Sequence, residues 1–202
     1  MVLILAGVVA SYSAVQYGIE QLIILPSLVS LQQAEARKDI RRCVNAIRSQ
    51  TDSIVNLTAD WSEWDDTYRF VQDENTDYAE SNLVPSTLAT AKLNLLYICN
   101  LQGKVVWGKV YDRQNETYIE IDEFPETSFE KDHVLLEHDS VESSIEGLYL
   151  TERGPMLIGS RPILTSDGEG PIHGTLMMGR FLDEEMVKGL SDDLSFKIKA
   201  PS

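Results

Sequence analysis

At 202 residues, 43% hydrophobic and 24% charged, the chain has the composition of one folded globular domain with room for an extra long element, and not of a disordered tail. Thirty-two acidic residues against 17 basic ones give a formal net charge of −15, a surface that repels phosphate backbones and argues against a nucleic-acid partner. Two cysteines, Cys43 and Cys99, match no metal or redox spacing, and either a disulfide or two buried free thiols fits them.

From Val2 to Ile19 no residue is charged, and the run is just long enough for a transmembrane candidate despite Ser11, Ser13 and Gln16. It lacks the basic leader and the small-residue cleavage site of a signal peptide. The expectation for residues 1–27 is the outer part of a membrane span whose cytoplasmic start precedes Met1. A buried amphipathic helix is the alternative. Pro26 should kink or restart the helix. Beyond it, Val44, Ile47, Thr51, Ile54, Thr58, Trp61, Asp65 and Tyr68 recur at alternating spacings of three and four, in a stretch free of Gly and Pro. This stripe predicts a long helix over residues 28–71, roughly 65 Å at about 1.5 Å per residue. Its upper part should pack on a sheet through Ile54, Val55, Thr58 and Trp61. Its lower part, from about Leu28 to Ile47, should pair with a second copy.

After Pro85 the pattern changes to short apolar runs broken by turns. Leu93–Asn100 and Lys104–Tyr111 flank Leu101-Gln102-Gly103 and read as a β-hairpin, with a short third strand near Tyr118–Ile121. Ser128–Glu137 reads as more helical. Leu148–Glu152 and Met156–Leu164 form a second hairpin around Arg153-Gly154, and Ile172–Leu182 follows as a long strand. A capped helix at Asp183–Leu190 and a weak closing strand at Leu194–Lys199 complete the chain. The fold class is α+β: a long N-terminal helix packed on an antiparallel sheet of about five strands within residues 93–182.

The densest constellation is Trp61-Ser62-Glu63-Trp64-Asp65-Asp66-Thr67-Tyr68-Arg69-Phe70. On a helix Trp61, Trp64 and Tyr68 share a face, which suits either a packing anchor or one wall of a polar pocket. Adjacent Asp65 and Asp66 point apart and make a poor acid–base pair. His133 and His138 lack the i, i+4 spacing of a helical metal pair, and Gly159-Ser160-Arg161-Pro162 lacks the second glycine of a nucleophile elbow. Neither a catalytic set nor a metal or cofactor is therefore expected. Asn56-Leu57-Thr58 and Asn115-Glu116-Thr117 match glycosylation sequons, a short pattern that chance supplies often.

The block Trp61-x-x-Trp64-Asp65-Asp66-x-Tyr68-x-Phe70 resembles the hallmark of the fourth class of CHASE domains, the extracellular sensory domains of prokaryotic histidine kinases and cyclic-di-GMP enzymes. A second block is similar to that family in the same order: Gly154-Pro155, Ser160-Arg161-Pro162-Ile163, and Gly170-Pro171-Ile172 through Asp183. The resemblance spans roughly residues 28–190. It implies a PAS-like, non-enzymatic sensor domain facing the periplasm or cell exterior, with residues 191–202 leading toward a second span and a cytoplasmic output region. A ligand-free structural or dimerisation module of a receptor is the alternative. In the residues themselves, Tyr97, Arg161 and Arg180 on strands, with Trp61, Asp65 and Asp66 nearby, are the expected ligand-binding set. Arginines grip carboxylates in a bidentate way, so a small organic acid is the expected ligand. A buried Arg180 would need a partner, for which Asp65 or Asp66 is the expectation.

Overall fold

The computed structural model describes residues 2–182, so the expected helix at Asp183–Leu190 and strand at Leu194–Lys199 lie outside the described residues. The chain divides into two compact units, Met1–Ala46 and Ile47–Ser202. Helix α1 (Val2–Ile19) leads through a π-helical turn, Glu20–Ile24, into helix α2 (Leu25–Ser62). The expected irregularity at Pro26 takes the form of that wide turn. A helical proline lacks its N–H and crowds the carbonyl four residues back, which here falls inside the π segment. Among the described residues no helix is long and apolar enough to cross a membrane. Within the first unit Leu31, Ile40 and Val44 are exposed on α2, and so is Cys43, which with the buried Cys99 is a free thiol. The expectation of two buried thiols thus fails at Cys43.

The second unit corrects the expected single helix over 28–71. α2 stops at Ser62, Trp64 is extended (φ −110, ψ 127), and α3 (Asp65–Asp73) begins anew. Local propensity did not dictate the break; residues far along the chain hold it. The Asp65 N–H donates to Ser166 Oγ at 3.1 Å, and the Ser166 N–H donates to the Asp65 carboxylate at 2.9 Å. The two residues thereby cap each other, and α3 gains the N-terminal acceptor that Trp64 does not provide. The Leu164 N–H also donates to the Ser62 carbonyl at 2.8 Å, satisfying one orphan acceptor at the end of α2. Two further short helices follow, α4 (Thr76–Asn82), capped by the Asn75 side chain, and α5 (Pro85–Thr90), started by its proline.

Six antiparallel strands, where about five were expected, form one sheet in the order β3-β2-β1-β6-β5-β4. They are β1 (Leu95–Asn100), β2 (Val105–Asp112), β3 (Thr117–Ile119), β4 (Ile145–Thr151), β5 (Gly154–Pro162) and β6 (Gly174–Phe181). The first hairpin turns at Gly103 (φ +77), where the Asn100 side chain accepts from the Gln102 and Lys104 N–H groups. Residues alternate along β1. Leu96 and Ile98 join Ile54, Phe70, Leu157, Leu176 and Met178 on the helix-covered face. Leu95, Tyr97 and Cys99 join Met156, Ile158 and Met177 on the other.

α2 meets the sheet through Ile54, Val55, Thr58 and Trp61, as the stripe predicts. Ile54 and Thr58 are fully buried, and Trp61 packs against the same cluster. Gly159 makes the close approach feasible, because a Cβ there would lie 3.1 Å from Thr58 Oγ1 and 3.3 Å from the Val55 Cα.

Candidate functional site

The distal face of the sheet, opposite α2, is covered by the segment between β3 and β4. The expected helix at Ser128–Glu137 shrinks to a single 3₁₀ turn, Val134–Leu136. Buried apolar residues hold the cover down: Ile121, Phe124, Phe129 and Leu135 pack on Tyr97, Val110, Met156 and Ile158. Two polar side chains from the sheet pin it. Tyr97 Oη donates to the Phe124 carbonyl at 2.8 Å, and Ser160 Oγ donates to the Leu135 carbonyl at 2.6 Å. Burial, reinforced by nearby Cys99, Glu126 and Glu120, pushes the Tyr97 phenol upward, so it stays a neutral donor.

The Ser160 hydroxyl proton is committed to Leu135, and this sets the tautomer of a neutral His138. Ser160 Oγ must accept from His138 Nε2 at 3.1 Å, which leaves Nδ1 to accept from Ser143 Oγ at 3.0 Å. Neutral imidazole fits this arrangement. Burial, then the charge of Arg161, lowers the His138 pKa to about 4, with Asp139 opposing. His133 is part of the same cover, against Phe129 and within 3.3 Å of the Tyr149 hydroxyl.

Beside Tyr97 the cover stops short and leaves a cleft of about 430 Å³ between β1, β2, β3 and the turn at Phe124–Glu126. The Tyr97 ring forms its floor by lying flat across Gly108, its pairing partner on β2, where any Cβ would overlap the ring. Tyr118 and Phe124 add aromatic walls. Its charged groups are Glu120, Asp122 and Glu126 against Lys109, whose ammonium is 2.9 Å from Glu126. The cleft is a built concavity with an aromatic floor and an acidic rim. It contains no nucleophile–base pair.

The expected ligand-binding set does not converge on this cleft. Tyr97 lines it. Arg161 and Arg180 point to the helix-covered face instead, because they share the alternation of Leu157 and Leu176–Met178. Arg161 binds the Glu63 carboxylate at 3.0 Å and also donates to the Glu142 carbonyl. Arg180 donates to Gln50 Oε1 at 2.8 Å and to the carbonyls of Lys92 and Ala91 at the end of α5. The expected pairing of Arg180 with Asp65 or Asp66 is thereby corrected. Asp65 serves Ser166, and Asp66 is an exposed partner of Arg69. Trp61 is a packing residue, edge-on to Trp64 at 6.2 Å between ring centroids. Trp64 and Asp66 do border a second cleft of about 560 Å³ between α3 and α4, with Asp73, Asp77 and Tyr78. Sequence reasoning missed the pinning residues Ser160 and His138. A serine inside the apolar run Met156–Leu164 was the one available signal, since a buried hydroxyl needs a partner.

The CHASE4 domain family matches residues 46–200, more than half of the chain. A methanogenesis regulatory histidine kinase, FilI, from Methanothrix harundinacea (strain 6Ac) is 27% identical over 169 residues. That match takes in 82% of this chain and 18% of the kinase, so the chain spans under a fifth of that relative. Two crystal structures share the fold at 14% identity over 78% of this chain. One is the extracellular domain of a protein described as histidine kinase vpHK1S-Z8, covered to 60% at a TM-score of 0.53. The other is a domain of a sensory box/GGDEF family protein from Vibrio parahaemolyticus, covered to 64% at a TM-score of 0.54.

Proposed function

The chain belongs to the CHASE4 domain family, a family of sensory domains, and from that premise we propose that it is the extracytoplasmic small-molecule sensor of a membrane signal-transduction receptor. The output region of that receptor is a histidine kinase or a cyclic-di-GMP enzyme, and the segment around residues 1–27 anchors the sensor to the membrane. The observation that carries the ligand part is the cleft beside Tyr97, whose floor belongs to a central strand and whose far wall belongs to the cover. A ligand seated there touches two parts able to move relative to each other, which is what a population-shift sensor needs.

An organic acid was expected on the strength of two arginines that prove to face the helix side. With three carboxylates and one paired lysine at the cleft, the fitting ligand is neutral or cationic and presents an apolar or π-binding face to Tyr97 and Tyr118. A thermal-shift screen of the sensor against amines, polyols and organic acids checks this, since a ligand that binds only the folded state raises its Tm. Stabilisation by acids alone overturns the charge argument. The exposed Leu31, Ile40 and Val44 on α2 support a homodimer through that helix. A monomer in sedimentation at high concentration counts against it.

A second reading, a structural dimerisation module without ligand, is favoured by one observation: the centre of the distal face is filled by Phe124, Phe129 and Leu135. A silent screen together with a tight dimer selects that reading.

A further inference from the structure

The two Asn-x-Thr sequences of the chain stand in opposite surroundings. Attachment of a glycan needs the asparagine amide and the threonine hydroxyl accessible together, on a segment that can bend away from the domain. At Asn56-Leu57-Thr58 this is impossible. Thr58 is fully buried, its hydroxyl donates to the Ile54 carbonyl at 2.8 Å, and it packs against Gly159. Asn115-Glu116-Thr117 meets both requirements. It straddles the turn between β2 and β3, Asn115 and Thr117 are exposed, and Glu116 turns the chain with φ +52. Asn115 is held by two exposed bonds to the Asp112 carboxylate, from its side-chain amide at 2.8 Å and its backbone N–H at 3.2 Å. The strand that follows has three residues, is paired on one side only, and lies at the end of the sheet order, so it opens locally at small cost.

We propose that Asn115 is an N-glycan attachment site and that the glycan shields the open edge of β3. The donor is an oligosaccharide carried on a lipid phosphate or diphosphate. Asn115 Nδ2 bonds to the anomeric carbon, and the anomeric C–O bond to phosphate breaks. The lipid phosphate leaves with the electron pair, and one amide proton passes to a base. Nothing is oxidised or reduced. A glycan there does for the sheet edge what charged residues do elsewhere: it blocks strand addition by another chain. The proposal rests on the outward-facing reading above, because the donor and the site must share a compartment.

The test uses the full receptor isolated from the membranes of its own cells, analysed by peptide mass spectrometry. The expected result is an oligosaccharide mass on the peptide containing Asn115, none on the peptide containing Asn56, and complete loss in Asn115→Gln and in Thr117→Ala. In parallel, Gln102→Cys at the exposed β1–β2 turn, in a Cys43→Ser background, is probed in intact cells with a membrane-impermeant maleimide. A bare Asn115 together with labelled Gln102→Cys overturns the glycan and leaves the outward-facing reading intact. If Gln102→Cys reacts only after lysis, that reading fails, and this proposal fails with it.

Discussion

The two faces of the sheet are closed by different means. On one, a regular helix lies so close that a side chain at Gly159 would press on Thr58 and Val55, and the junction of α2 and α3 is tied to β5 through Glu63 and to the β5–β6 connection through Ser62 and Asp65. On the other, an irregular segment is held by apolar contacts, by two side-chain hydroxyls, from Tyr97 and Ser160, and by backbone bonds joining Thr127 to Val105 and Phe129 to Gly103. The helix-covered face is a packed interior with ordinary costs of disruption. The distal face is closed by a segment whose regular structure is one 3₁₀ turn. Local opening should begin on the distal side, where the cover lacks regular structure beyond that turn and where the cleft also is.

The largest expected effect lies on the helix-covered face. Ile54→Ala removes a fully buried side chain between α2 and the sheet and should lower unfolding free energy by about 2–5 kcal/mol in urea denaturation. A loss below about 1 kcal/mol would mean that this face is as loose as the other. Next comes Gly108→Ala on the distal side. It drives the Tyr97 ring off β2 and should cost about 1–3 kcal/mol by overpacking. Hydrogen exchange should then quicken around Phe124, whose carbonyl loses its donor, and not along α2.

The mutual cap is the third test. Asp65→Ala should cost about 0.5–2 kcal/mol through loss of the bond to Ser166, whereas Asp66→Ala breaks only an exposed pair with Arg69 and should stay within about 1 kcal/mol. Equal effects would show that the motif's two carboxylates are interchangeable. The smallest effect is pH-dependent and belongs to the cover. The folded-state pKa of His138, about 4, lies below its ordinary 6.5, so the unfolded chain takes up the proton first. Stability should be fully present above about pH 6.5 and fall as the pH drops through about 4. Discounted for partial exposure, the loss is about 1 kcal/mol. It should vanish in His138→Gln.

The legible parts of the fold were those carried by local pattern. The stripe from Ile47 to Trp61 identified the buried face of α2, and the alternations around Gly103 and Gly154 gave both hairpins, because period and turn chemistry act over a few residues. The helix break at Trp64 was illegible, since its cause, Ser166, sits in a distant connection. The same holds for Arg180. Its isolation in an apolar strand correctly signalled a need for partners, but those partners include the Ala91 and Lys92 carbonyls just after α5 and the amide of Gln50. Carbonyl acceptors carry no residue-type signature. α4 and α5 were missed for a related reason: each is under two turns or so and depends on a single cap or proline.

The strand order has one consequence for how the molecule comes to exist. β1 and β6, the first and last of the sheet's described strands, are neighbours at its centre, with Ile98 opposite Leu176. A ribosome therefore releases both hairpins before the pair that unites them can form. Closing so long a loop is entropically slow, and the half-sheets wait with bare edges until Phe181 has emerged. Truncation inside β6 should then leave two unjoined ribbons and no smaller sensor, and the nascent chain is most exposed to aggregation in the interval before β6 arrives.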